Sequence, residues 1–170
     1  MTAYVALLRA VNLMGSTTLP MVELRAVAAS LGFERARTYI ASGNLVFSST
    51  LLEGAVKYEL EAALERHAGR TIGVLVRTGA EMEEVSAANP FKDRPASQVL
   101  ALFLDAAPTA EAVAAARNRS DEEIALGRRE LYIHYPTGQG KSRLVIPAMR
   151  AGTARNMNTV AKLVELAKGS

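Results

Sequence analysis

The sequence contains no cysteine. That excludes a disulfide framework, a thiolate metal site and a thiol nucleophile, and it suits a cytoplasmic setting. Tryptophan is also absent, and aromatic residues make up only 5% of the chain, too few to stack a run of bases. Histidine occurs twice, as His67 and His134. The two are far apart and neither has a partner one helical turn away, so no metal site is expected. No serine sits in a Gly-x-Ser-x-Gly elbow, so the usual hydrolase signature is missing. No apolar run approaches the roughly 18 residues of a membrane-spanning helix. Arg9 interrupts the first apolar run and no basic segment precedes it, so no signal peptide is expected. No cofactor motif is present, and no cofactor is expected.

What is present is an ordinary globular composition. Of 170 residues, 49% are hydrophobic and 22% charged, enough for one large domain or two small ones. The net charge of +3 is unevenly placed. Residues 1–85 hold 8 Lys/Arg against 9 Asp/Glu, and residues 86–170 hold 12 against 8. Between 128 and 155, Arg128, Arg129, Lys141, Arg143, Arg150 and Arg155 face only Glu130. Such an excess attracts phosphates or acidic ligands, and it also describes a plain solvated basic face.

The chain opens on Tyr4-Val5-Ala6-Leu7-Leu8, an apolar run that reads as a buried strand. Thr18 as N-cap and Pro20 in the first turn introduce a helix ended by Gly32. Arg35 to Phe47 then reads as strand, turn and strand about Ser42-Gly43-Asn44. Ser49-Thr50 caps a longer helix from about Leu51 to His67, with Leu52, Val56, Leu60 and Leu64 as its apolar stripe and Gly69 closing it. Ile72 to Arg77 is a further strand. The order β-α-β-β-α-β is that of a ferredoxin-like unit.

Glu81 to Ala88 reads as a short helix with a solvated acidic face, and Asn89 to Pro95 as a Pro-bounded connection. A second unit follows: a strand over 98–104, an Ala-rich helix over 108–117, and a hairpin over 123–126 and 130–135. A short helix over 142–149, interrupted at Pro147, and a last helix from about Asn156 to Lys168 complete it. That order lacks a clear fourth strand. The expected fold class is α+β, with two α-β plait (ferredoxin-like) subdomains in tandem, the second less regular. The expected divisions are 1–78, a connection over 79–96, and 97–170.

Two polar stretches stand out as binding candidates. Thr153-Ala154-Arg155-Asn156-Met157-Asn158-Thr159 reads as the start of the last helix. Capping explains an Asn or a Thr there; an Arg at that end is disfavoured by the macrodipole and suits an anion or planar polar ligand. Equally, Arg155 serves as a structural lock. Ser42-Gly43-Asn44 reads as a simple hairpin turn, in which Ser42 and Asn44 also offer polar groups; Arg9 and Asn12 leave the first strand, and no spacing places them beside that turn. Gly138-Gln139-Gly140-Lys141-Ser142 is not a P-loop, because Tyr135 stands where a Walker A motif needs glycine. Lys141 and Arg143 remain able to hold one phosphate. The candidate ligand set is therefore Arg9, Asn12, Ser42, Asn44, Lys141, Arg143, Arg155, Asn156 and Asn158.

Several segments are familiar together: Tyr4 to Asn12, Thr38 to Phe47, Asn89-Pro90-Phe91, Gly140 to Leu144 and Thr153 to Val160. In these the chain resembles a bacterial family of domains of unknown function, number 1697. Met14 stands where that family usually has a second glycine, and Met157 where it usually has an aromatic residue. The resemblance implies a pair of α-β plait subdomains and carries no activity, substrate or cofactor. Three functional readings remain open. The first is a binding module for an anionic ligand (a nucleotide, a phosphate or a nucleic acid). The second is a small-molecule enzyme with an Arg/Asn-lined site and no recognisable nucleophile. The third is a structural or interaction protein without ligand.

Overall fold

The structure is a computed structural model that describes residues 1–9, 19–40 and 43–169. The expected N-cap Thr18 and the candidates Asn12 and Ser42 lie outside the described residues. The chain divides into two compact units, one of residues 1–83 with 163–170 and one of residues 84–162.

The first unit holds β1 (Thr2–Leu8), α1 (Met21–Ser30), β2 (Glu34–Thr38), β3 (Asn44–Ser49), α2 (Glu53–Ala68) and β4 (Val74–Thr78). Its four strands lie in the order β2-β3-β1-β4, and every pairing is antiparallel. This is the plait order that a β-α-β-β-α-β chain forms when each right-handed crossover passes over the same face. Alternate residues on the strands point to one face. There Tyr4, Ala6, Leu8, Leu45, Phe47, Val74 and Val76 meet Leu24, Val27, Ala28, Val56, Leu60 and Leu64 from the two helices. Phe33 and Phe47 stack at 4.4 Å between ring centres.

Local chemistry explains where these elements stop. Gly69 takes the left-handed conformation (φ 73°) and its N–H reaches the Glu65 carbonyl at 2.9 Å, closing α2. The start of α2 departs from expectation. Its N-cap is Leu52, with no side-chain cap, and Ser49 Oγ instead accepts the Leu51 N–H at 3.0 Å. Likewise Pro20 is the N-cap of α1 rather than a first-turn residue.

After β4 comes α3 (Gly79–Ala87), which begins two residues earlier than its acidic run suggests. Thr78 and Glu81 form a reciprocal capping box. Thr78 Oγ1 accepts the Glu81 N–H at 3.1 Å, and Glu81 Oε1 accepts the Thr78 N–H at 2.9 Å. Glu81 is thus a capping group and not only part of a solvated face.

The second unit contains β5 (Val99–Phe103), α4 (Ala110–Ala114), β6 (Glu123–Leu126), β7 (Glu130–His134) and β8 (Thr153–Asn156), followed by α5 (Met157–Lys168). Here too the order is plait-like, β6-β7-β5-β8, with antiparallel pairings throughout. The missing fourth strand of the sequence reading is β8, formed by the stretch taken there for the start of the last helix. Its four residues, Thr153-Ala154-Arg155-Asn156, end on two polar ones and so lack a full alternation, and its helix-capping residues hid the strand. The helix expected over 142–149 does not form. Ser142 is extended, Val145 bridges to Arg117, and only a 3-10 turn over Pro147–Ala151 forms, since Pro147 lacks the N–H a continuing helix needs. The core of this unit is Leu100, Leu102, Leu104, Leu131, Ile133, Tyr135 and Ile146. Among the described residues no helix is long and apolar enough to cross a membrane.

Candidate functional site

At the end of β1 the first plait gathers some of its candidates. The Leu8 N–H bonds the Gly43 carbonyl and the Arg9 N–H bonds the Gly73 carbonyl, each at 2.9 Å. Asn44 pairs across the ladder with Leu7. Its side chain is fully buried, and its Nδ2 donates to the Tyr39 carbonyl at 2.9 Å. Asn44 therefore closes the β2–β3 hairpin. Arg9 lies over Gly73, where a Cβ would stand only 3.0 Å from its Cδ.

In the second plait the candidates separate by role. Arg155 sits on β8, opposite Ala101, and not on a helix. It is 6% exposed, and its Nη1 donates to Thr153 Oγ1 at 2.7 Å and to the Ala154 carbonyl at 2.9 Å. Burial lowers its pKa well below the ordinary guanidinium range, to about 10. Asn156 caps α5, its Oδ1 accepting the Thr159 N–H at 2.9 Å. Asn158 is exposed on the first turn of that helix.

The sequence reading missed the counterpart of Arg155. Arg77 occupies the matching place on β4, opposite Val5. It too is buried, and its Nη1 donates to the carbonyl of the preceding Val76 at 3.0 Å. A lone charge inside Val74-Leu75-Val76-Arg77 was the available signal.

Lys141 and Arg143 belong to a different arrangement, organised by a buried carboxylate. Glu122 is 4% exposed. Its Oε1 accepts the Ser120 N–H at 2.6 Å and its Oε2 accepts the Ser142 hydroxyl. The Ser142 bond is the main cause that holds its pKa below the ordinary carboxylate range, and the Ser120 N–H adds to it. Two backbone bonds between Arg117 and Val145, at 2.8 and 2.9 Å, run alongside. Together these contacts tie segment 117–122 to segment 141–145. The result is an exposed basic ridge of Arg117, Lys141 and Arg143, with Arg119 beside it. Among the described residues neither Lys141, Arg143 nor Arg117 has an ion-pair partner. Asp121 is the one exposed acid on these two segments. Arg117 and Arg119 went unnoticed in sequence because they lie before the basic window, and only the bridge brings them to it.

The Gly138–Ser142 loop has no P-loop geometry. Gly138 turns at φ 88°, one 3-10 turn follows, and Ser142 is extended.

Two four-stranded antiparallel sheets, each packed with helices, define the class: a protein of tandem ferredoxin-like subdomains. The chain belongs to the family described as protein of unknown function (DUF1697), whose model matches residues 1–132. A solved structure, that of the conserved bacterial protein SP0830 from Streptococcus pneumoniae, is similar with a TM-score of 0.81. The two share 22% identity, and the match covers 98% of each chain; the likeness is one of fold. No curated protein matches the chain.

Proposed function

We propose that this protein is a binding module for an anionic ligand, a phosphate-bearing nucleotide or nucleic acid, held on the basic ridge of the second plait. The observation that supports it most is the Glu122 clamp. One buried carboxylate holds Ser120 and Ser142, and so keeps Lys141 and Arg143 beside Arg117. Three cations on two joined segments present a local positive field, which is the sequence-independent means of attracting phosphates. In this reading Lys141 and Arg143 contact the ligand. Asn44, Asn156 and Arg155 serve the fold through the hydrogen bonds described above.

The test is a titration of labelled single-stranded RNA, DNA and nucleotide at low and raised salt. Binding is expected to weaken with salt, and Lys141→Glu and Arg143→Glu are each expected to reduce the salt slope by about 1. Ser142→Ala removes no charge but loosens the clamp, and a smaller loss is expected from it. Binding that is absent at low salt, or that the two charge reversals leave unchanged, would overturn the reading.

A further inference from the structure

We propose that the outer edge of β6 and the groove beside it form a docking site for an extended peptide that ends in, or carries, a carboxylate. The argument starts from hydrogen-bond parity. In an antiparallel ladder, residues alternate between bonding the neighbouring strand and pointing away from it. The Gly127 N–H bonds the Glu130 carbonyl at 2.7 Å. By alternation Ala125 and Glu123 also bond β7, through the pairs Ala125↔Tyr132 and Glu123↔His134. The N–H and C=O groups of Ile124 and Leu126 therefore point outward. β6 is the edge strand of its sheet, and among the described residues nothing bonds these four groups.

Beside this edge runs a groove of about 540 Å³ between α4 and β6. Val113, Ala114, Ile124 and Leu126 line it, and Leu126 is 48% exposed. Such an edge template beside an apolar trough is what strand addition requires: backbone bonds give affinity and alternate side chains enter the trough. The one charged residue in the lining is Arg119. Its Nε is held by the Glu122 carbonyl at 3.0 Å, which leaves the fork of the guanidinium for a carboxylate. The charge thus selects an acidic peptide.

A second copy of the chain is the weaker occupant. Two outward-facing residues offer four backbone bonds, fewer than the roughly ten hydrogen bonds of a typical stable interface. The other hairpin edge is built against such pairing. β2 is charged, carries a register shift between Glu34 and Arg37, and holds Arg35 at φ 54°, the devices that blunt a free edge. β6 has no register shift and no positive-φ residue, and its one charge, Glu123, is engaged by Arg94 and His134.

The experiment uses the full chain and a combinatorial library of soluble heptapeptides. Selected sequences are expected to alternate apolar residues and to carry a carboxylate. Comparing free-acid and amidated versions tells a terminal carboxylate from a side-chain one. By fluorescence anisotropy, Arg119→Glu is expected to weaken the selected peptides by about tenfold or more. Ala114→Arg fills the groove from an exposed position and is expected to abolish binding while leaving the melting temperature unchanged. That variant adds a cation, so it does not weaken phosphate binding on the ridge, and the two proposals fail separately. On binding, amide exchange should slow at Ile124 and Leu126. Three outcomes would overturn the proposal: no enrichment over the Ala114→Arg chain, protection that misses Ile124 and Leu126, or self-association of the wild type that Ala114→Arg removes.

Discussion

In the first plait, helices of 10 and 16 residues pack on the sheet. In the second, the same strand order is packed with a five-residue helix and the 3-10 turn over Pro147–Ala151, with Leu144 and Ile146 beside it. The strands match in finer detail too. Arg77 and Arg155 stand at equivalent registers of the fourth strand, and each donates to the carbonyl just before it. A plait is thus specified by its strand pairing, and its helices are replaceable. What replaces them must satisfy its own backbone and fit closely. In the second unit Gly152 does the fitting, since a Cβ there would collide with the Phe103 carbonyl oxygen. The buried Glu122 does the satisfying. Segments 117–122 and 141–145 carry the exposed cations Arg117, Lys141 and Arg143, and β6 is the edge strand of the sheet, so both proposed ligand surfaces fall on the less regular plait.

The strongest way to break this comparison is Gly152→Ala. Overpacking against rigid backbone is expected to cost about 3 kcal/mol and to lower the melting temperature by roughly 10 °C. A shift under about 2 °C would show that the turn segment yields easily and that close fit is not what sustains it.

The next test uses matched tyrosines. Tyr132 Oη donates to the Val85 carbonyl and Tyr4 Oη to the Leu51 carbonyl, both at 2.7 Å. Tyr132→Phe is expected to cost about 1 kcal/mol at neutral pH, measured by urea unfolding. Burial, with Glu130 adding to it, pushes the Tyr132 phenol up to about 12. Its pKa is higher folded than the ordinary value near 10. Its stabilising contribution is therefore complete below about pH 10 and is lost as pH rises through about 12. The gap between wild type and variant should narrow over that window. Arg155 acts with the opposite sign there, because its pKa is lowered on folding, but it is common to both chains and cancels. The Tyr4 phenol is also raised, by burial first and then by Glu53, and Tyr4→Phe should narrow in the same direction. A gap independent of pH would sink the assignment.

The smallest effect is expected at Gly54 in the first turn of α2, where a Cβ meets nothing within 4 Å. Gly54→Ala should stabilise by about half a kcal/mol. Set beside Gly152→Ala, it contrasts a regular helix with slack against an irregular cover without it.

Much of the first plait was legible in the sequence, because its signals are local and agree with one another. The apolar runs at Tyr4 to Leu8 and Ile72 to Arg77 have strand length. Leu60 and Leu64 repeat at helical spacing, and Gly69 marks the stop. Pattern failed where one short segment answers to two rules. Thr153 to Thr159 has the residues of a helix cap, and Asn156 does cap α5, yet the four residues up to it pair with β5. A four-residue strand has too few alternations to outvote its caps. Ser142 to Met149 reads as a short helix interrupted at Pro147; instead Val145 bridges to Arg117 and only a 3-10 turn forms from Pro147 on.

The sequence by itself determined the α+β class, the tandem plaits, the irregularity of the second and the excess of cations in its half. Those follow from periodicity, breakers and composition, which are properties of neighbouring residues. Only the tertiary structure decided which polar residues stand together. The Glu122 clamp joins residues 20 apart and the Arg117–Val145 bridge residues 28 apart. The strand pairings also placed Arg77 and Arg155 at matching positions of their separate sheets and left β6 at an edge. No spacing along the chain encodes that, because the free energy of each contact depends on a partner that only folding brings near.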